Sequence, residues 1–394
     1  MFSTEGPMDG VEQSGPGEQA RQAEPGRRAE QAGRERQAER PGQAERDQQD
    51  QQDQRTVQDR QAGEAVRAAA RADRGRRRWR VLKISAAVAA VAVVALAFAL
   101  RKPSPVGHWN GAEGHADFMA AYDRAMADMP RAAETIDVRT GFGFVRAYRY
   151  EGSSDRAEPL VLLPGRASAS PVWADNLPRL LEIGDVYTID LLGEPGKSVQ
   201  EAPITSDADQ AAWLDQVLAH LPEKSFHVVG LSIGGWTAAN LAVHRPRHVA
   251  TLTLIDPVYT FSNIPIGTAV RAIPASVPWL PKSWRDSFNS YTAGGAPVED
   301  VPVADMIESG MKNYTLHLPQ PSLIDEKALG RLTMPVLAIL AGESVMHDVE
   351  ASPEVAERAL RNGTVKLYPN ASHAINGEHP NEIAADIAAF LDAR

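Results

Sequence analysis

Apolar residues are spread very unevenly along this chain of 394 residues. Residues 1–65 carry almost none of any size, and 13 glutamines with repeated Gln-Ala-Glu steps leave no face that could repay the entropy of ordering. A coiled coil is excluded too, because its a and d positions need apolar side chains. The pattern predicts a disordered Gln/Arg/Glu-rich tail over residues 1–80. Ile84 to Leu100 is the opposite case: seventeen residues without a charge, eight of them alanine. At about 1.5 Å per residue a helix of that length spans roughly 25 Å, near the lower limit for crossing a bilayer. The pattern predicts one transmembrane signal anchor over residues 81–102.

From residue 103 onward the pattern becomes that of a folded domain. Phe118, Met119, Tyr122, Met126 and Met129 recur at helical spacing within Ala112–Met129, and Pro130 stops them. Thr135–Arg139 and Gly143–Tyr150 alternate like strands around Thr140-Gly141. Strands at Pro159–Leu163, Asp185–Leu191, Phe226–Leu231 and His248–Ile255 then exchange with helices at Val172–Leu181 (disturbed by Pro178), Asp207–Leu221 and Ile233–Val243. After a proline-rich irregular stretch come strand Val336–Leu340, helix Pro353–Arg361, strand Thr364–Tyr368 and helix Pro380–Leu391. Such alternation predicts an α/β domain over 103–394, with a mostly parallel sheet covered by helices on both faces.

Charge changes the reading of the N-terminal part. The formal net charge of −10 divides into −5 for residues 1–65, +7 for residues 66–83 and −12 for the rest. Eight basic residues thus precede the apolar run and only Arg101 and Lys102 close it. That asymmetry predicts a cytoplasmic N-terminus and an extracytoplasmic domain. Ala97-Phe98-Ala99 would release a secreted form if it were cut. The acidic total argues against a nucleic-acid partner, and the basic cluster is read as a membrane flank. A protein partner for the tail is left open.

Zero cysteine excludes a disulfide scaffold, a thiolate metal site and a cysteine nucleophile. No dinucleotide-binding, Walker or His-Glu-x-x-His motif occurs, so neither cofactor nor metal is expected. What remains is serine. Gly230-Leu231-Ser232-Ile233-Gly234 stands between the strand Phe226–Leu231 and a helix, the strand–turn–helix context in which G-x-S-x-G positions a nucleophile. With this motif, residues from about 115 to 394 resemble the α/β-hydrolase fold family, specifically its carboxylesterase-like serine hydrolases.

The resemblance implies a partner for each role. His373, in the loop after the last strand, matches the position of the family's histidine base, with His379 the nearest rival. The family's usual acid position falls in Gly342-Glu343-Ser344-Val345-Met346-His347-Asp348, where Val345 occupies it. Some relatives carry the acid one strand earlier, which points to Asp256; Glu343 and Asp348 stand as alternatives. The oxyanion hole would be built from the backbone amides of Ile233 and Arg166. Asp190 and Gly193-Glu194-Pro195-Gly196 resemble a structural turn of the family. Residues from about 258 to 330 would form a small helical cap, whose Trp279, Trp284, Phe288, Tyr291, Met306 and Met311 would shape an apolar acyl or alcohol pocket. The expected activity is hydrolysis of a carboxylic ester of a small or apolar substrate through an acyl-enzyme. The alternatives are an acyltransferase, lactonase or C–C hydrolase on the same residues, or a non-catalytic anchored binding module.

Overall fold

The computed structural model describes residues 43–100 and 104–394, which fall into two compact units, Met1–Arg101 and Lys102–Arg394. In the first unit, Gln43–Leu100 is a single helix of 58 residues. Disorder expected over 43–80 therefore gives way to helix, while residues 1–42 lie outside the described residues. Alanine, glutamine, glutamate and arginine all have high helix propensity, so this segment needs no buried face to favour helical dihedrals locally. Ile84, Val88, Val91 and Val93 are exposed on it. Among the described residues no helix is long and apolar enough to cross a membrane, so the anchor expected over 81–102 is not supported. Residues 101–103, and the side chains of 94–100, lie outside what is described.

The second unit carries eleven strands among the described residues: β1 (His108–Trp109), β2 (Glu134–Thr140), β3 (Gly143–Tyr150), β4 (Leu160–Leu163), β5 (Val186–Ile189), β6 (Val199–Gln200), β7 (Phe226–Leu231), β8 (Val249–Ile255), β9 (Tyr314–Thr315), β10 (Val336–Ala341) and β11 (Gly363–Tyr368). β1 and β9 pair with each other, and the remaining nine form one sheet in the order β11-β10-β8-β7-β4-β5-β3-β2, with β6 on β3. Strands from β11 to β5 run parallel, whereas β2, β3 and β6 pair antiparallel. The sheet is therefore mixed. Both faces are buried, as parallel strands require. Val161 and Leu163 of β4 join one apolar cluster with Trp213 and Trp236, while Leu160 and Leu162 join another with Phe118 and Trp173. β4 lies between β5 on one side and β7 on the other, so the chain reverses its direction of travel there and opens a crevice at the strands' carboxyl ends.

Two local departures have physical causes. The helix expected over Val172–Leu181 is instead a 3₁₀ turn, Ser170–Trp173, followed by a short helix, Leu177–Leu180. Pro171 and Pro178 each lack an N–H and are tolerated only in a first turn, so they divide the segment. Helices Ile266–Ala275, Lys282–Thr292 and Pro302–Asn313 form the cap between β8 and β10. Its clamp is Arg285, buried, whose guanidinium bonds Glu308 Oε1 at 2.9 and 2.6 Å and the Leu280 carbonyl at 3.0 Å. The aromatics do not all turn inward as expected. Trp279 is 83% and Trp284 50% exposed, while Met306 is buried in the cluster with Phe118 and Trp173.

The turn after β5 hangs on one carboxylate. Asp190, fully buried, accepts from Tyr122 Oη (3.0 Å), Ser170 N (2.9 Å), Ser170 Oγ (2.7 Å) and Lys197 N (2.8 Å). Asp190→Ala leaves the buried Ser170 amide and hydroxyl without this acceptor, while Tyr122 Oη keeps Tyr148 Oη, and is expected to cost about 3 kcal/mol. Urea unfolding measures this, and an unchanged midpoint would refute it.

Candidate active site

β7 runs out of the middle of the sheet into Ser232, and the helix Ile233–His244 begins at the next residue. Ser232 has φ 55° and ψ −117°, a conformation that L residues avoid unless the surroundings impose it. Here they do. Ser232 N–H donates to the Ile255 carbonyl at 2.9 Å, pinning the turn to the end of β8. A Cβ added at Gly230 would fall 2.3 Å from the Gly234 carbonyl oxygen, and one added at Gly234 would fall 2.3 Å from that of Leu163. Only glycine at both positions lets the strand fold back so closely on the helix.

β11 ends at Tyr368, and the following loop carries His373 across to this serine. His373 Nε2 lies 2.8 Å from Ser232 Oγ, and His373 Nδ1 lies 2.6 Å from Asp256 Oδ2. A carboxylate can only accept, so Nδ1 carries the proton and Nε2 presents its lone pair to the hydroxyl. Asp256 follows β8 with φ 43° and is fully buried. Its Oδ1 also accepts from Ala341 N (2.8 Å) and His347 Nε2 (2.7 Å), and its Oδ2 from Ser344 Oγ (2.6 Å). Burial by itself would push this carboxyl up. The hydrogen bonds and charges of His347 and His373 outweigh it and hold the group below the usual carboxylate range.

Of the three acids considered, the structure sets Asp256 against His373. Glu343 is exposed. Asp348, also exposed, accepts from the amides of Glu350 (3.1 Å) and Ala351 (3.0 Å) at the start of a helix. The rival His379 stacks its ring edgewise on Tyr368 and precedes the last helix. His227 is buried in β7 with Nδ1 2.9 Å from Thr251 Oγ1.

Ile233 and Arg166 both stand beside Ser232. Ile233 opens the helix, so its N–H has no carbonyl one turn back to bond. Arg166 follows Gly165, where an added Cβ would come 3.6 Å from Ser232 Cβ. The residue that shapes this loop is Glu194, which the sequence placed in a structural turn without linking it to Arg166. Buried, it accepts from Ala167 N at 3.1 Å and pairs with the Arg166 guanidinium at 3.0 Å. Arg166 and Ile233 also line a small cavity of about 10 Å³ with Leu191, Trp213, Trp236 and Leu318, room for one water. Ser344 and His347 were missed, although both lie in the loop singled out for its acids. The cap touches the site where His373 N–H meets the Thr292 carbonyl at 3.2 Å and Thr268 Oγ1 meets that of Val345 at 2.6 Å.

Comparisons with known proteins bear on the fold that carries these residues. The family profile described as alpha/beta hydrolase fold matches residues 158–295. The crystal structure of carboxylesterase CesB (YbfK) from Bacillus subtilis superposes with a TM-score of 0.66 at 22% identity, over 72% of this chain and 100% of that one. The chain has the α/β-hydrolase fold. The naproxen esterase of Bacillus subtilis superposes equally well, with a TM-score of 0.66 at 21% identity over 71% of this chain and 99% of its own. In sequence, carboxylesterase YbfK is 23% identical over 285 residues, 70% of this chain and 93% of that protein. Lipase LipV of Mycobacterium tuberculosis is 28% identical over 239 residues, 57% of this chain and 89% of its own. Within this α/β-hydrolase sheet, Ser232, Asp256 and His373 follow β7, β8 and β11, and so stand at the carboxyl ends of parallel strands.

Proposed function

We propose that the protein is a serine hydrolase that cleaves a carboxylic ester of a small or apolar substrate through an acyl-enzyme. The carrying observation is the unbroken hydrogen-bonded chain from Ser232 Oγ through His373 to Asp256. Similarity to the carboxylesterase and lipase relatives named above supports the reaction class. Ser232 Oγ attacks the ester carbonyl while His373 Nε2 takes its proton. Asp256 stabilises the imidazolium that forms, and the amides of Ile233 and Arg166 receive the oxyanion. The imidazolium then protonates the departing alkoxide, and an alcohol leaves. Water attacks the acyl-serine by the same route in reverse, giving a carboxylic acid and free Ser232. A fluorophosphonate probe should label the wild-type chain at Ser232 and fail to label Ser232→Ala. Labelling that persists in Ser232→Ala overturns the assignment.

The location proposed with this activity is a membrane-anchored domain on the far side from a cytoplasmic tail. Its support is the charge-free run after residue 83, the eight basic residues before it, and the exposure of Ile84, Val88, Val91 and Val93. Protease added to intact cells should digest the hydrolase domain and spare residues 1–80. Digestion of the tail instead would reverse the orientation.

A further inference from the structure

Asp256 holds two imidazoles, and the chemistry proposed above uses only one. The second belongs to His347, whose side chain is buried in the loop after β10 with Nε2 2.7 Å from Asp256 Oδ1. The four donors divide evenly: Ala341 N and His347 Nε2 on Oδ1, Ser344 Oγ and His373 Nδ1 on Oδ2. A carboxylate has about four lone-pair sites, so this one is saturated and cannot rotate without losing a bond. Two of the four come from the loop Gly342–Asp348. The ring's side-chain hydrogen bond goes to Asp256, and the adjoining Asp348 acts on it as well through its backbone and its charge. An asparagine or glutamine could also supply one donor, though its carbonyl oxygen and second N–H would need partners of their own. An imidazole adds something these lack, the capacity to carry a positive charge.

We propose that His347 is a positioning residue for the site: its Nε2–H fixes the rotation of Asp256 and its charge draws on the carboxylate that His373 also uses, thereby setting how tightly His373 holds a proton. This rests on the serine-hydrolase reading. His227 provides a comparison within the same fold. Buried on a hydroxyl partner, it is pushed down to about 4 by desolvation first and Arg156 second. Burial pulls His347 down as well, yet the hydrogen bond and charge of Asp256, with the backbone and charge of Asp348, outweigh it and carry this imidazole above its ordinary value. The charged groups acting on His347 are Asp256 and Asp348, and those acting on Asp256 are His373 and His347. Whenever His347 carries a proton on both ring nitrogens, its charge offsets part of the negative charge of Asp256 that faces His373. Removing the cation strengthens the field of Asp256 at His373 and raises the pH at which His373 loses its proton.

The test compares wild type with His347→Gln and His347→Leu as full chains. It follows kcat/KM for p-nitrophenyl acetate from acid to neutral pH, and the His373 ring signals by NMR titration. Both variants should move the acidic limb of kcat/KM, and the His373 titration with it, upward by about half a pH unit or more. His347→Leu also removes a donor from Oδ1, so its plateau kcat should fall about tenfold with KM little changed, and His347→Gln should recover most of that loss. A role in folding alone would lower the amount of native protein without shifting either pH profile. Should His347→Leu not fold, His347→Gln carries the comparison. An acidic limb and a His373 titration that both stay put in His347→Gln overturn the inference. Absence of fluorophosphonate labelling in the wild type would instead strike the hydrolase reading, while the NMR titration still reads the coupling between the two imidazoles.

Discussion

Ser232→Ala is expected to lower kcat/KM for a p-nitrophenyl ester by about 10⁴- to 10⁶-fold, the loss typical when a serine nucleophile is deleted from a hydrogen-bonded set. The substitution removes one oxygen and leaves the remainder of the site in place. Ser232 N–H still bonds the Ile255 carbonyl, Gly230 and Gly234 still permit the turn, and His373 remains tied to Asp256. Alanine also bears the same φ of 55° at no greater cost than serine, so stability should change little. Rate and unfolding midpoint measured on one preparation check both halves. A residual rate within tenfold of wild type would mean that another group attacks the substrate.

Asp256→Asn is expected to be nearly as severe, about 10⁴-fold in kcat at neutral pH. The reason is the tautomer. Asparagine can turn its amide nitrogen toward His373 Nδ1, which then favours Nδ1 as acceptor and leaves Nε2 protonated against Ser232. Two neighbours reinforce this, because Ala341 N and His347 Nε2 both donate to Oδ1 and hold the amide oxygen there, which leaves the nitrogen at the place of Oδ2 facing His373. Glu343→Gln and Asp348→Asn should remain within about threefold of wild type, since one is exposed and the other caps a helix that asparagine also caps. Assaying the three variants side by side settles which acid serves. An equal collapse in Glu343→Gln or Asp348→Asn would refute the role given to Asp256.

Much of the site was legible before any coordinates because its signals are local. Gly230-Leu231-Ser232-Ile233-Gly234 announces a tight strand-to-helix turn by composition, and the turn forms where it was expected. The strands β7 and β10 begin where their apolar runs begin, since continuous burial on both faces demands such runs. The departures have separate causes. Val172–Leu181 is divided, as Pro178 announces, and Pro171 opens the turn before it. Residues 43–80 lack an apolar face yet form helix, because propensity along the backbone is independent of burial. Trp279 and Trp284 look like pocket residues by type, and the cap turns them outward.

The alternation of strands and helices, the nucleophile candidate and the loop that carries the histidine are all readable along the chain. All of these are properties of neighbouring residues. The choice among Asp256, Glu343 and Asp348 was a different kind of question, since Asp256 and His373 are 117 positions apart and meet only because β8 and β11 flank β10 in the sheet. The same register brings His347 and Ser344 onto that carboxylate and leaves Glu343 facing solvent. Spacing along a chain cannot encode which strand lies beside which; sheet order does, and sheet order is decided by how the two apolar faces are covered.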